Sequence, residues 1–296
     1  MAFKSGDTAW IVYQGPPRWD GEKWIDGDRF FLSGGKGLQL DLGVELAPGV
    51  SGLEAEVVEY RFDTSANVPG SVYVSEVAGR RTIQAPINIL GKTARELRDN
   101  KRRWFRNHRN GEKGRLWTFT SEGEPRYLPV IRGEGAGLST LDKDPGIRVL
   151  YEGFDWAWDS DSPYFMGYEA SHDLIANGNV YEKTFYNPST APRVYPVLTL
   201  PGGCRWRIPL GGDETFVTME IPTGEEARLD LQPKKPTFLK KNAEGKVENI
   251  WHSLLGNRPK LYLEPETRNH FSIEAVDGTP DKAPNLTFTP LFTSWV

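Results

Sequence analysis

The sequence predicts a mainly β protein of two domains with a single α-helix, and three observations carry that prediction. Short runs in which apolar and polar residues alternate recur along the chain, the spacing of strands with one buried face. Twenty-two prolines and 31 glycines supply turns between those runs, and ten tryptophans beside only three methionines fit the aromatic bias of strands. Only Lys92 to Arg109 places its apolar residues at helical spacing. At 296 residues, two domains of the usual size of about 100 to 200 residues are expected.

The elements follow in order. Ile83, Ala85, Ile87 and Ile89 share one face of a strand from Thr82 to Leu90, and Pro86 marks an edge position or a bulge. In the helix, Ala94, Leu97, Trp104 and Phe105 lie together among Arg95, Arg98, Lys101, Arg102, Arg103 and Arg106, with Gly111 placed to end it. Ile147, Val149 and Tyr151 then alternate on one parity and Phe154, Trp156 and Trp158 on the other, which predicts a β-bulge at Gly153. Asp161-Ser162-Pro163 interrupts the pattern, so the domains are expected over 1–165 and 166–296. Asn177-Gly178-Asn179 opens the second. There, Trp206, Ile208 and Leu210, then Val217, Met219 and Ile221, then Ala227, Leu229 and Leu231 read as three short strands. Gly211-Gly212-Asp213 and Thr223-Gly224 are their turns. Leu261 with Leu263, Phe271 with Ile273 and Ala275, and Leu286 with Phe288 continue the pattern, and the whole reads as a sandwich.

Composition narrows the functional classes. With 38% hydrophobic and 26% charged residues the chain is an ordinary globular protein. The one cysteine, Cys204, forms no internal disulfide, and Lys4 and Asp7 break up any apolar leader, so folding in a reducing cytoplasm is expected. No run approaches the roughly 18 apolar residues of a membrane helix, and a soluble protein without a membrane partner is expected.

Motifs that carry chemistry fail one by one. Ser33-Gly34-Gly35-Lys36-Gly37 lacks the Ser or Thr that a phosphate-binding loop places after its lysine to hold magnesium. Gly133, Gly135 and Gly137 miss the dinucleotide spacing and lead into no helix. Counted from Asp159, the sixth and twelfth positions of a calcium loop hold Tyr164 and Ala170 instead of Gly and Glu, so Asp155, Asp159 and Asp161 read as the polar face of an edge strand. His108, His172, His252 and His270 lack zinc spacing, no Ser sits in a GxSxG elbow, and Cys204 reads as a small buried residue. No catalytic residue, cofactor or metal ligand is expected, and the chain reads as a non-enzyme.

Two groups stand apart. Between Lys92 and Arg115, ten Lys and Arg face three Asp and Glu, a net of +7 in a chain of −4, so the remainder carries −11. Such a helix can track phosphates, dock on acidic surface of a neighbouring copy, or simply be solvated; Arg95, Arg98, Arg102 and Arg106 are the candidate inter-subunit contacts. Trp19 and Trp24, among Gly, Pro and Asp, and Trp251, beside His252, are candidates to stack on a glycan or a partner, whereas Trp156, Trp158 and Trp206 alternate inward.

The order of elements carries a resemblance. Arg80-Arg81-Thr82-Ile83 leading to Ile89, a TARELRDNKRRWF helix, Gly123-Glu124-Pro125-Arg126-Tyr127-Leu128 and Asp159-Ser160-Asp161-Ser162-Pro163-Tyr164-Phe165 make up the first half. Asn177-Gly178-Asn179, a strand from Pro192 to Pro201, Arg228-Leu229-Asp230-Leu231, Ile250-Trp251 to Leu263-Glu264-Pro265, and Phe271-Ser272-Ile273 make up the second. The arrangement resembles the distal tail protein family of long-tailed, non-contractile phages, also known as minor tail or tail component proteins. It departs from the family at Leu229-Asp230-Leu231 and at Pro265-Glu266.

The resemblance implies a split β-barrel-like belt domain with one helix over 1–165 that closes into a ring, usually a homohexamer, and a galectin-like β-sandwich over 166–296 facing outward. The ring would join the tail tube protein to the tail hub or baseplate and its host-recognition apparatus, with the tape-measure protein a further partner and no specific nucleic-acid recognition. Localisation would be the virion tail tip, after assembly in the host cytoplasm. The alternative is a carbohydrate-binding module that attaches to a cell-surface glycan.

Overall fold

The computed structural model describes residues 9–33, 43–54, 58–64, 70–121, 123–137, 150–211, 214–232, 235–254, 256, 259 and 261–296. The glycine stretch at 34–37, the residues Ile147 and Val149, and the turn positions 212 and 213 lie outside them. The fold is mainly β, with one α-helix among the described residues, and the chain divides into two compact units.

The first unit comprises Met1–Gly167 and Phe292–Val296. Its early strands are β1 (Trp10–Gln14), β2 (Arg18–Trp19), β3 (Trp24–Ile25), β4 (Arg29–Ser33), β5 (Val44–Leu46), β6 (Val58–Thr64) and β7 (Ser71–Ala78). Then come β8 (Arg81–Gln84), β9 (Ile87–Leu90), the helix α1 (Ala94–Arg106), β10 (Gly114–Phe119), β11 (Arg126–Arg132), β12 (Tyr151–Phe154), β13 (Ala157–Ser160) and β14 (Phe165–Met166). A large sheet runs β14-β11-β10-β1-β4 and continues from β11 through β13 to β8; β12-β9-β5 form a second sheet.

The expected strand from Thr82 to Leu90 is therefore two strands in two sheets. Its parity is as read, since Ile83, Ala85, Ile87 and Ile89 are all buried. Pro86 has no N–H to give a ladder, and the chain crosses between sheets at that point. The partner ribbon breaks beside it, between Phe154 and Ala157, and Ala85 N–H still donates to the Trp156 carbonyl at 2.9 Å. No bulge forms at Gly153: Tyr151↔Leu90, Glu152↔Ile89, Gly153↔Asn88 and Phe154↔Ile87 pair without a slip, and Tyr151 simply points outward.

The helix is shorter than its charge run. Thr93 caps it by accepting the Glu96 N–H at 3.1 Å, and the Glu96 carboxylate accepts the Lys92 N–H at 2.8 Å. It stops at Arg106 rather than near Gly111, because Asn107 closes the last turn: its Nδ2 donates to the Arg103 carbonyl at 2.8 Å. Leu97 and Trp104 enter the core and Phe105 packs at its margin.

Arg81 organises one end of this unit. Though buried, its guanidinium donates to the carbonyls of Pro163 (2.9 Å), Gly52 (3.2 Å), Leu53 (2.9 Å) and Thr293 (2.7 Å) and stacks over Phe165 at 5.0 Å. The last five residues, which the sequence places with the second domain, thus belong to the first unit. Phe292 is buried beneath Arg126, and Thr118 Oγ1 donates to the Trp295 carbonyl at 3.1 Å.

The second unit, Tyr168–Leu291, is a sandwich. It begins with β15 (Ala170–Asp173), β16 (Ile175–Asn177), β17 (Val180–Asn187), β18 (Val197–Pro201), β19 (Arg205–Gly211) and β20 (Glu214–Val217). It continues with β21 (Glu226–Asp230), β22 (Thr237–Lys241), β23 (Val247–Asn249), a 3-10 turn at Trp251–Leu254, β24 (Thr267–Val276) and β25 (Asn285–Phe288). One sheet runs β15-β25-β18-β21-β22-β23 and the other β16-β17-β24-β19-β20. Leu198, Leu229, Phe238 and Leu286 of the first meet Phe185, Trp206, Ile208 and Ile273 of the second in one core.

One strand parity differs from the sequence reading. Phe216 and Thr218 point inward while Val217 and Met219 face out. The phenyl ring supplies the larger apolar area, and the Thr218 hydroxyl is satisfied inside: it accepts the Trp206 N–H at 2.9 Å and donates to the Met219 carbonyl at 2.8 Å.

Candidate functional site

Three surface features of the first unit could meet another molecule, and each is built differently. The first starts at Asp20. Its Oδ1 accepts the N–H groups of Glu22 (2.9 Å) and Lys23 (2.8 Å), an Asx-type closure that turns the chain and sets Trp19 opposite Trp24 in the two-residue strands β2 and β3. These backbone hydrogen bonds hold the Asp20 carboxyl below its ordinary range. The two indoles meet edge to face, with centroids 5.9 Å apart and planes at 66°, and stay 55% and 69% exposed. With Arg106, Arg109, Glu112 and Lys113 they line a pocket of about 600 Å³.

Asp28 fixes the wall of that pocket. Its carboxylate, only 12% exposed, faces Arg103 Nε at 3.1 Å, Arg106 Nη2 at 3.5 Å and Arg18 Nη2 at 3.6 Å, and accepts Asn107 Nδ2–H at 2.9 Å. Burial raises the Asp28 pKa, but the hydrogen bonds from Arg103 and Asn107 and the charges of Arg103 and Arg18 outweigh it and hold the group below the usual carboxylate range. The approach is close enough that a Cβ on Gly27 would meet the Gly15 carbonyl oxygen at 2.2 Å.

The second feature is the outer face of α1. Arg95 and Arg102 are exposed and share Asp99 at 4.0 and 3.2 Å, Arg98 is exposed beside them, and Lys101 turns inward to Glu152 at 2.6 Å. The four arginines singled out by sequence therefore separate: Arg106 is tied to Asp28, while Arg95, Arg98 and Arg102 stand on open surface.

The third feature has no counterpart in the sequence reading. Among the described residues, strands β6 and β7 pair only with each other, and Tyr60, Phe62, Val72, Tyr73 and Val74 are exposed on this ribbon. Tyr73 packs against Tyr60 and Phe62 at 6.3 and 6.0 Å between centroids, a small aromatic cluster left facing solvent. Its signal was present, because Tyr60 and Phe62 alternate with Glu59, Arg61 and Asp63; the same pattern also describes a strand whose apolar face its own chain covers.

Trp251, the third candidate tryptophan, lies in the second unit and packs against its core. His108 is a structural group: Trp158 Nε1–H donates to its Nε2 at 3.0 Å, its Nδ1 lies 2.9 Å from the Trp104 carbonyl, and burial lowers its pKa to about 3. Burial, aided by the charge of Asp281, pushes the Cys204 thiol up to about 11, which makes it a poor nucleophile at neutral pH. Among the described residues, no group of three His, Cys, Asp or Glu is placed to hold a metal, and no helix is long and apolar enough to cross a membrane. Asp159 and Asp161 instead accept from Thr82 Oγ1 at 2.5 Å and Lys113 Nζ at 2.7 Å.

No family model and no curated protein matches this chain by sequence. Solved structures do match. The Dit protein of phage SPP1, described as a paradigm of the hub adsorption apparatus in phages that infect Gram-positive bacteria, superimposes with a TM-score of 0.61. The match covers 96% of this chain and 99% of that one at 14% identity. This chain has a Dit-like fold. Chains of the phage P2 baseplate in its activated conformation, with calcium and with strontium, give TM-scores of 0.49 and 0.46 at 8% and 9% identity, covering 95% and 96% of this chain and 98% of theirs.

Proposed function

We propose that this chain is a structural protein of a phage tail tip, whose copies close into a ring, a homohexamer, at the distal end of the tail tube. The observation that carries the reading is the likeness of fold to the SPP1 Dit protein along nearly the full length of both chains. In this reading the first unit forms the ring, and the second, a galectin-like sandwich, faces outward. The ring joins the tube protein above to the hub or baseplate below, beside the tape-measure protein. The role needs complementary surfaces rather than a reacting centre.

The paired strands β6 and β7 support it. An isolated two-stranded ribbon is marginally stable in water, and one that exposes Tyr60, Phe62 and Tyr73 gains by burying them against another chain. A contact between that ribbon and a different surface of the next copy is heterologous, the kind of interface that closes rings. Arg95, Arg98 and Arg102 would add steering charge toward the acidic remainder of a neighbour. Negative-stain imaging of the purified protein is the test: closed rings support the reading, and a monodisperse monomer at micromolar concentration counts against it.

A further inference from the structure

The pocket at Trp19 and Trp24 is not used by the ring reading, and its chemistry is specific enough to suggest a ligand. We propose that it is a binding site for an anionic saccharide, a sugar ring carrying a carboxylate or phosphate.

Three observations carry this. First, two indoles remain more than half exposed in a pocket of about 600 Å³, within the range of small-ligand sites. Second, the indoles cross at 66° rather than stacking in parallel. That corner offers one flat apolar face and a second wall, which fits the C–H face of a pyranose. A run of nucleic-acid bases needs successive ring platforms that this corner does not give. Third, Arg106, Arg109 and Lys113 share the lining with a single carboxylate, Glu112. Arg109 pairs with Glu112 at 3.9 Å and Lys113 with Asp161 at 2.7 Å, exposed pairs worth little in water that a ligand anion can replace. The cations suit an anionic substituent, and Glu112 is an acceptor for sugar hydroxyls. The site is also preorganised: Asp20 closes the β2–β3 turn, and Asp28 holds Arg18, Arg103 and Arg106 from behind. A wall already fixed loses less freedom when a ligand binds.

Isothermal titration of the full chain at low salt tests the site with named probes. They are tetragalacturonate for the carboxylate form, singly phosphorylated maltotetraose for the phosphate form, and neutral maltotetraose, octathymidylate and octaglutamate for comparison. At least one anionic saccharide should bind ten-fold or more tighter than neutral maltotetraose. Trp24→Ala should weaken it at least ten-fold, and Arg109→Glu with Lys113→Glu should reduce it to the neutral level. These side chains are exposed, so an unchanged thermal melt shows that the variants fold. The proposal is overturned if neither anionic saccharide binds, if both variants bind as the parent does, or if octathymidylate or octaglutamate binds tighter through the same residues. Because the readout is binding to the chain itself, it stands or falls separately from ring formation.

Discussion

The aromatic cluster under α1 and the ribbon of β6 and β7 use the same kinds of residues and meet opposite fates. In the cluster, Tyr13 stacks on His108 at 3.9 Å, Trp104 meets Trp156 edge-on at 5.2 Å, and Trp158 hydrogen-bonds the buried imidazole. In the ribbon, Tyr60, Phe62 and Tyr73 touch one another and face solvent. Apolar alternation fixes which residues share a face, whereas the cover over that face comes from elsewhere in the chain or from another chain. The cluster is buried within its own unit, whereas the ribbon leaves its aromatic side chains exposed.

The largest effect that would sharpen this contrast comes from emptying the core. Trp104→Ala should cost about 3–5 kcal/mol in urea unfolding, through lost burial plus a cavity that the surrounding rings cannot fill. Phe62→Ser with Tyr73→Ser should change monomer stability by only about 0.5 kcal/mol while abolishing assembly, since these side chains bury little within one chain. A ribbon variant as damaging as Trp104→Ala would break the comparison.

Next in size is the pH response of the cluster. The folded pKa of His108 lies near 3 and its unfolded value near 6.5, so the unfolded state binds the extra proton between those limits. Stability from this group is complete above about pH 6.5 and falls as pH drops, by up to about 1.4 kcal/mol per unit, until pH approaches 3. His108→Gln should flatten that slope in chemical denaturation at stepped pH; an unchanged slope would place the titration elsewhere.

Smaller again is the clamp at the tryptophan corner. Asp28→Ala leaves Arg103 without its partner and Asn107 Nδ2 with one acceptor fewer, and should cost about 1–3 kcal/mol while loosening β2 and β3, visible as faster amide exchange there. The smallest effect belongs to the exposed helix face. Arg102→Ala loses only an exposed pair with Asp99 and should shift stability by less than about 0.5 kcal/mol.

How much of this could be read from sequence depends on how local each cause is. The inward set Ile83, Ala85, Ile87 and Ile89 was legible because alternation is a property of the strand itself. That Pro86 moves it between two sheets was not, because the crossing is set by the partner ribbon some 70 residues later. Hydropathy favours Met219 over Thr218, because the buried Thr218 hydroxyl is made tolerable by Trp206 and Met219 backbone groups that no hydropathy pattern encodes. The return of Phe292–Val296 to the first unit depends on Arg81, 212 residues from Thr293. Trp19 and Trp24 were recognisable as exposed from their Gly, Pro and Asp neighbours, whereas the cations that make a pocket with them arrive on the far side of a helix.

In the proposed assembly the ribbon is the interface between copies. Multi-angle light scattering of the parent chain beside the Phe62→Ser, Tyr73→Ser variant measures that directly. The account predicts one species at a multiple of the 33.3 kDa chain mass for the parent and a folded monomer for the variant. A parent that stays monomeric at every concentration tested, or a variant that keeps the parent's mass, would contradict it.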